Sequence, residues 1–197
     1  KNNFDFNVAD DLTKKLGHLL LQGWSSQSEE RKLDFYKWIS KNFWVQDYAL
    51  FIVIREQFNM LPWWQWPIEF KIKNNKYLES WIKERSEEIL IQKLIQWHLD
   101  RQWKALRDFA KLYNVYLIGD LPFYVSRDSA DVWSNKSLFS IFKNGALIFQ
   151  SGVPPDYFSS TGQLWGTPTY FWSKHKSTNF DWWRKRFKRQ FELVDLL

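Results

Sequence analysis

At Asn114 the hydrophobic period of the chain changes from helical to extended. Before it, apolar residues recur every three to four positions; after it, Val115-Tyr116-Leu117-Ile118 is a short β-branched and apolar run ending at Gly119-Asp120. Such a run, without polar alternation, predicts a fully buried parallel strand. The next strong helical pattern runs from Asp181 to Leu193 and leads into the strand-like Val194-Asp195-Leu196-Leu197. The order is therefore helix, strand, long excursion, helix, strand, an α/β unit with a large insertion after its first strand. Connections that long tend to be functional. In a β/α barrel the loop after a strand lies on the catalytic face. Chemistry is expected between Asp120 and Trp172.

Composition removes several classes. With 197 residues, 45% hydrophobic and 25% charged, the chain is one domain or a piece of a larger one, not a disordered or fibrous segment. Cysteine is absent, which excludes disulfide scaffolds, thiolate metal sites and thiol nucleophiles. His18, His98 and His175 are far apart in sequence. No metal and no cofactor is expected. No run of about 18 apolar residues exists to span a bilayer and no signal peptide opens the chain, so no membrane partner is expected. The expected compartment is the cytoplasm. The first residue is Lys1, Met60 is the single methionine, and the last residues are the apolar run Phe191 to Leu197. These suggest an internal fragment whose end starts a strand of a larger fold.

The net charge of +6 would suit a polyanion partner. Much of the excess, however, lies in Arg184 to Arg189, interleaved with Trp182, Trp183, Phe187 and Phe191. That spacing puts aromatics on one helical face and charges on the other, which reads as a solvated face. No nucleic-acid partner is expected.

Up to about residue 112 the pattern is helical. Leu16, Leu19, Leu20 and Trp24 follow the caps Asp10 and Asp11, and Ser26-x-x-Glu29 resembles a capping box before Leu33, Phe35, Trp38 and Ile39. A helix is predicted from Trp44 to Phe58, then a break at Pro62 to Pro67. A long stretch from Tyr77 to Tyr113, with room for a kink or break, has Ile89, Leu90, Leu94, Trp97, Leu99, Trp103, Leu106, Phe109 and Ala110 as its buried side.

The excursion opens with Asp120, at the C-terminal end of the strand. There a carboxylate can accept hydrogen bonds from a polar ligand, or cap a turn before Pro122. Asp128 reads as an N-cap or ion-pair partner of a short helix reaching Trp133, and Asn144-Gly145 between apolar runs predicts a hairpin. Gly152 to Pro168 is rich in glycine and proline, which predicts a backbone without regular structure. It nevertheless carries Tyr157, Phe158 and Trp165 beside Asp156 and Gln163. A sugar site wants flat apolar platforms flanked by acids and amides. A loop stapled to its own domain by buried aromatics is the other reading.

Several ordered motifs then resemble one family. Ile118-Gly119-Asp120-Leu121-Pro122, Asp128 to Trp133, Gly152-Val153-Pro154-Pro155-Asp156-Tyr157-Phe158 and Thr161-Gly162-Gln163-Leu164-Trp165-Gly166 are similar to the amylomaltases, the 4-alpha-glucanotransferases. Trp44 to Leu50, Pro62-Trp63 with Trp66-Pro67, and Arg101 to Leu106 extend the likeness over most of the chain.

The resemblance implies a partial (β/α)8 barrel with an inserted, mainly helical subdomain and a long active-site loop. Residues 1–112 would be the helical part, and residues 113–197 the barrel strand, glucan-binding loop, helix and start of the next strand. It implies a retaining transfer of an alpha-1,4-glucan segment to the 4-hydroxyl of an acceptor, with maltooligosaccharides as partners. It assigns glucan binding to Asp156, Tyr157, Phe158, Gln163 and Trp165, and more loosely to Asp120. It assigns no catalytic residue here: the nucleophile and acid/base would lie beyond Leu197, and Asp195 is not the nucleophile. Thr167 stands where members commonly have asparagine. The alternative is a non-catalytic carbohydrate-binding module using the same aromatics. A single-strand nucleic-acid binder would want basic residues among those rings, and the loop has none.

Overall fold

The structure, a computed structural model, describes residues 5–197. Helices α1 (Phe6–Trp24), α2 (Glu29–Lys41), α3 (Trp44–Gln57), α4 (Ile68–Lys71), α5 (Asn75–Glu84) and α6 (Ser86–Leu112) come first, with a 3-10 turn at Trp63–Gln65. Then follow α7 (Ala130–Ser134), a 3-10 turn at Lys136–Leu138, strands β1 (Gln150–Val153) and β2 (Gln163–Pro168), α8 (Trp172–Ser177) and α9 (Asp181–Leu193). The chain is α/β, with β1 and β2 forming an antiparallel pair.

Two helix starts differ from the sequence expectation because nearer caps win. α1 begins after Asp5, whose Oδ1 accepts from Asn7 N at 2.8 Å, while Asp10 pairs instead with Lys14. α2 is capped by Ser28, whose Oγ accepts from Arg31 N at 3.3 Å, and the Ser26 hydroxyl turns back to Gly23 O. Glu29 and Glu30 then occupy the first turn, where the helix dipole favours them.

The change of period at Asn114 has a local cause. Asn114 adopts φ 55°, its N–H bonds Lys111 O, and Val115 N–H bonds Ala110 O. This is the two-bond C-terminal motif that stops a helix with one left-handed residue. Asn59 and Asn179 end α3 and α8 with the same pattern of bonds. Asparagine tolerates that backbone better than most residues.

The main core packs α3, α5 and the aromatic Trp63–Trp66 turn against Trp133, Phe139, Tyr170 and Trp183. A second cluster joins Phe35, Leu94 and Trp97 to Leu20 and Trp24. The long helical stretch expected from Tyr77 to Tyr113 breaks at Arg85 into α5 and α6. Leu99, Leu106 and Phe109, expected on the buried side, are more than half exposed. The buried residues of α6 end at Trp97; beyond it, α6 meets α9 through polar groups. Trp103 Nε1 donates to Leu193 O at 2.7 Å, and Arg107 donates to the carbonyls of Glu192 and Val194.

Val115, Tyr116 and Ile118, expected to form a fully buried strand, are also more than half exposed. Their pairing is one parallel bridge, Ile118 with Leu196. Burial of a parallel strand needs flanking strands and helices on both faces. Among the described residues Leu196 is the one bridge partner of this segment. The approach is close: a Cβ on Gly119 would sit 2.8 Å from Val194 Cγ2. Asp195 locks the pair by accepting from Leu117 N at 3.0 Å and Arg107 Nη2 at 2.6 Å. Those bonds, the Leu117 amide first, hold its carboxyl below the usual carboxylate range.

Candidate functional site

The segment expected to lack regular structure is a β-ribbon. β1 and β2 pair Gly152 with Leu164 and Val153 with Gln163, with an irregularity in register between Gln150 and Gly152. Gly162, at φ 74°, closes the ribbon where a Cβ would lie 2.5 Å from Val153 O. The tip between the strands is held by its own polar groups. Asp156 Oδ1 accepts from Phe158 N at 2.9 Å and Ser159 N at 2.8 Å, and Ser159 Oγ donates to Gly162 O at 2.7 Å. Thr167 spends its hydroxyl on Ser151 Oγ across the ribbon.

With the tip braced in this way, its rings face water. Tyr157 is 97% and Phe158 88% exposed, packed edge to face on each other with centroids 5.6 Å apart. Trp165 is 47% exposed, and its indole N–H donates to Gln163 Oε1 at 3.1 Å. The Trp165 ring lies 6.2 Å from that of Tyr124, which stacks at 10° on buried Tyr170.

Asp120 lies at the end of the bridged segment and is exposed. No hydrogen bond joins its carboxylate to Asp156, Gln163 or Trp165, so the six expected residues divide into the ribbon group and Asp120. They are linked through the chain Leu121 to Tyr124. Asp120 nevertheless stands apart from the other acids that follow it. Asp128 pairs with Arg55, Asp131 accepts from Trp182 Nε1, Asp181 pairs with Lys185, Glu192 with Arg189 and Asp195 with Arg107. Asp156 holds two amides. Among the described residues the Asp120 carboxylate has no protein partner. It is thus the acid in this region whose lone pairs remain for a ligand.

Asp128 also accepts from Trp63 N, while Ser129 caps α7, so its role is the ion pair rather than the cap. The Asn144-Gly145 hairpin forms, with Ile141 bridged to Leu147. On α9, Arg186 and Arg189 reach neighbouring elements, and Lys185 and Arg184 pair with Asp181 in their own first turn.

Sequence reasoning did not single out Tyr124, Tyr170, Arg186 or Gln190, the residues that surround the linking segment. Tyr170 is central: its hydroxyl donates to Phe123 O at 2.5 Å, and its ring touches Phe139, Trp172 and His175. Burial pushes that hydroxyl up to about 12, the Arg186 charge beside it acting the other way. Burial also holds His175 below its ordinary value, favouring the neutral imidazole. In a chain with 20% aromatics the identity of the hub carries no sequence signal.

An open apolar groove of about 570 Å³ lies beside the same segment, lined by Leu121, Phe123, Trp172, Trp183 and Leu197, with Arg184 its one charged residue. It has no acid and offers packing surface rather than chemistry. Among the described residues no group of three His, Asp or Glu side chains could hold a metal ion, and no helix is long and apolar enough to cross a membrane.

Comparison with known proteins gives one family. A family model described as 4-alpha-glucanotransferase matches residues 2–197. A 4-alpha-glucanotransferase of Clostridium butyricum is 41% identical over 155 residues, covering 78% of this chain and 32% of that protein. A 4-alpha-glucanotransferase of Arabidopsis thaliana, named as chloroplastic/amyloplastic, is 37% identical over 188 residues, covering 95% of this chain and 32% of that one. Among solved structures, the amylomaltase from Streptococcus agalactiae in complex with acarbose superposes with a TM-score of 0.86 at 30% identity. That match covers 96% of this chain and 38% of the other. The chain thus spans about a third of the length of the curated relatives it matches.

Proposed function

The chain belongs to the 4-alpha-glucanotransferase family, and we propose that its natural gene product transfers a segment of a 1,4-alpha-glucan to the 4-hydroxyl of an acceptor glucose or glucan. The reaction is a retaining double displacement. A carboxylate attacks the anomeric carbon to form a glycosyl ester while an acid protonates the departing oxygen; that acid's conjugate base then deprotonates the acceptor hydroxyl, whose oxygen attacks the anomeric carbon and releases the carboxylate. We assign neither role to a residue of this sequence, and the isolated 197 residues are expected to be inert.

Within this reading Asp120, Asp156, Tyr157, Phe158, Gln163 and Trp165 bind glucan. Tyr157, Phe158 and Trp165 supply apolar faces for the C–H side of glucose units, Gln163 and Asp156 steady the ribbon beside them, and the free carboxylate of Asp120 accepts from sugar hydroxyls. Rings that cover the sugar also exclude water, which favours a sugar acceptor over hydrolysis. The observation that carries the reading is the exposure of Tyr157 and Phe158 on a tip whose Asp156 and Ser159 side chains are bonded to its own backbone. The acarbose bound by the Streptococcus agalactiae amylomaltase supports a maltooligosaccharide-like ligand.

For the fold, the parallel bridge of Ile118 with Leu196 supports reading residues 113–197 as part of a (β/α)8 barrel, with the ribbon as its active-site loop. Residues 1–112 are then a mainly helical subdomain. The compartment is the cytoplasm, or the plastid in a photosynthetic eukaryote, as the Arabidopsis relative's name suggests. The test is incubation of the natural gene product with maltotriose. Glucose and longer maltooligosaccharides are expected together; absence of both refutes the assignment. Residues 1–197 alone are expected to release no glucose.

A further inference from the structure

We propose that Arg186 and Gln190 of α9, with the hydroxyl of Tyr170, are positioning residues that clamp the Asp120–Tyr124 segment and so place Asp120 and Trp165 relative to each other. The proposal rests on the reading of Asp120 and Trp165 as glucan-binding residues.

The segment has little else to hold it. It lies outside every helix and strand, Pro122 has no N–H to donate, and Asp120, Pro122 and Phe123 are exposed. Its carbonyls are nonetheless taken by three side chains. Gln190 Nε2 donates to Asp120 O at 3.4 Å, Arg186 Nη2 donates to Pro122 O at 2.7 Å, and Tyr170 Oη donates to Phe123 O at 2.5 Å. Arg186 and Gln190 are four apart and share one face of α9, the later residue bonding the earlier carbonyl. Arg186 is itself fixed, its guanidinium lying 5.1 Å from the Trp182 ring centroid and 5.6 Å from that of Trp183. Charge-assisted bonds of this kind are stronger and more directional than neutral ones.

The clamp reaches both halves of the candidate site. Toward the chain start it holds the carbonyl of Asp120, whose carboxylate has no protein partner. Toward the ribbon it runs through Tyr170, on which Tyr124 stacks, and from Tyr124 to Trp165 at 6.2 Å between centroids. Loss of one bond would therefore shift the acid against the ring.

The experiment is a mutant cycle on maltotriose disproportionation by the natural gene product, with melting temperature followed in parallel. Arg186→Gln is expected to lower kcat/KM about tenfold, within the roughly 100-fold that an ångström of misplacement can cost. Arg186→Lys, which keeps one charged donor, should recover most of it. The double variant Arg186→Gln with Asp120→Asn should be no worse than Asp120→Asn alone, because residues acting through one another are not additive. Tyr170→Phe and Gln190→Leu provide the same comparison if Arg186→Gln lowers the melting temperature. An impaired Asp120→Asn, with clamp variants that match the unmodified protein or multiply its defect, overturns the clamp and leaves the glucan-binding reading intact. Full activity in both Asp120→Asn and Trp165→Ala overturns that reading, and the clamp with it.

Discussion

Trp63, Trp66 and Trp133 are almost wholly withdrawn from water, whereas Tyr157 and Phe158 at the ribbon tip are nearly as open as in an extended chain. Each of the three indoles has given its N–H to a main-chain carbonyl: Arg127 O at 2.7 Å, Leu61 O at 2.9 Å and Phe70 O at 2.9 Å. A buried indole without such a partner would leave a polar group stranded. At the ribbon the arrangement is reversed. The polar groups of Asp156 and Ser159 are spent on the backbone, and the rings keep only each other. The same residue class therefore fills the core in one region and leaves apolar surface open in the other. What separates them is which atoms are already satisfied.

The largest effect expected from breaking this contrast is Trp133→Ala. Emptying a fully buried aromatic site costs about 3–5 kcal/mol, and at this chain size that lowers the melting temperature by roughly 10 °C. Circular dichroism would follow the loss, and a drop of a degree or two would place Trp133 outside the core.

The converse substitution, Tyr157→Ala with Phe158→Ala, should leave stability within about 0.5 kcal/mol. In the natural gene product it should raise KM for a long maltooligosaccharide about tenfold, equivalent to ~1.4 kcal/mol. An unchanged KM would remove both rings from the glucan site.

The smallest effect sharpens the buried side. Lys136 lies over the rings of Trp63 and Trp133 and donates to Trp133 O; burial, aided by the Lys73 charge and opposed by Asp47, brings its amine down to about 8. Its folded value lies below the ordinary 10.5. Between those two values the unfolded chain binds more protons, so stability rises with pH there and the cost of holding the charge is greatest below pH 8. Lys136→Met should therefore compare best with the unmodified protein near pH 7 and lose ground toward pH 10. Denaturant midpoints at both pH values measure this, and a constant difference would show that the charge is not desolvated.

Much of the helical order could be read locally. The breaks at Pro62–Pro67 and Asn114, the Asn144-Gly145 hairpin and the span Asp181–Leu193 all depend on residues adjacent to where they act. Cap choice was not: Asp10, Asp11 and Ser26 were expected, but Asp5 and Ser28 cap the helices, because a capping side chain is selected by the chain direction at the helix start. At the site, the ribbon residues were recognisable as a dense group of aromatics with an acid and an amide. Tyr170, Arg186 and Gln190 were not, because their work is done on carbonyls far away in sequence.

Spacing and motif order alone determined most of the helices, the breaks between them and the family, because turns and periodicity are short-range and motif identity needs no coordinates. Tertiary structure decided which apolar residues are covered, that Gly152–Pro168 pairs with itself as a ribbon, and that the Asp120 carboxylate alone is left unpartnered among the acids around it. Those outcomes depend on which distant groups meet, and no local pattern of side chains encodes that.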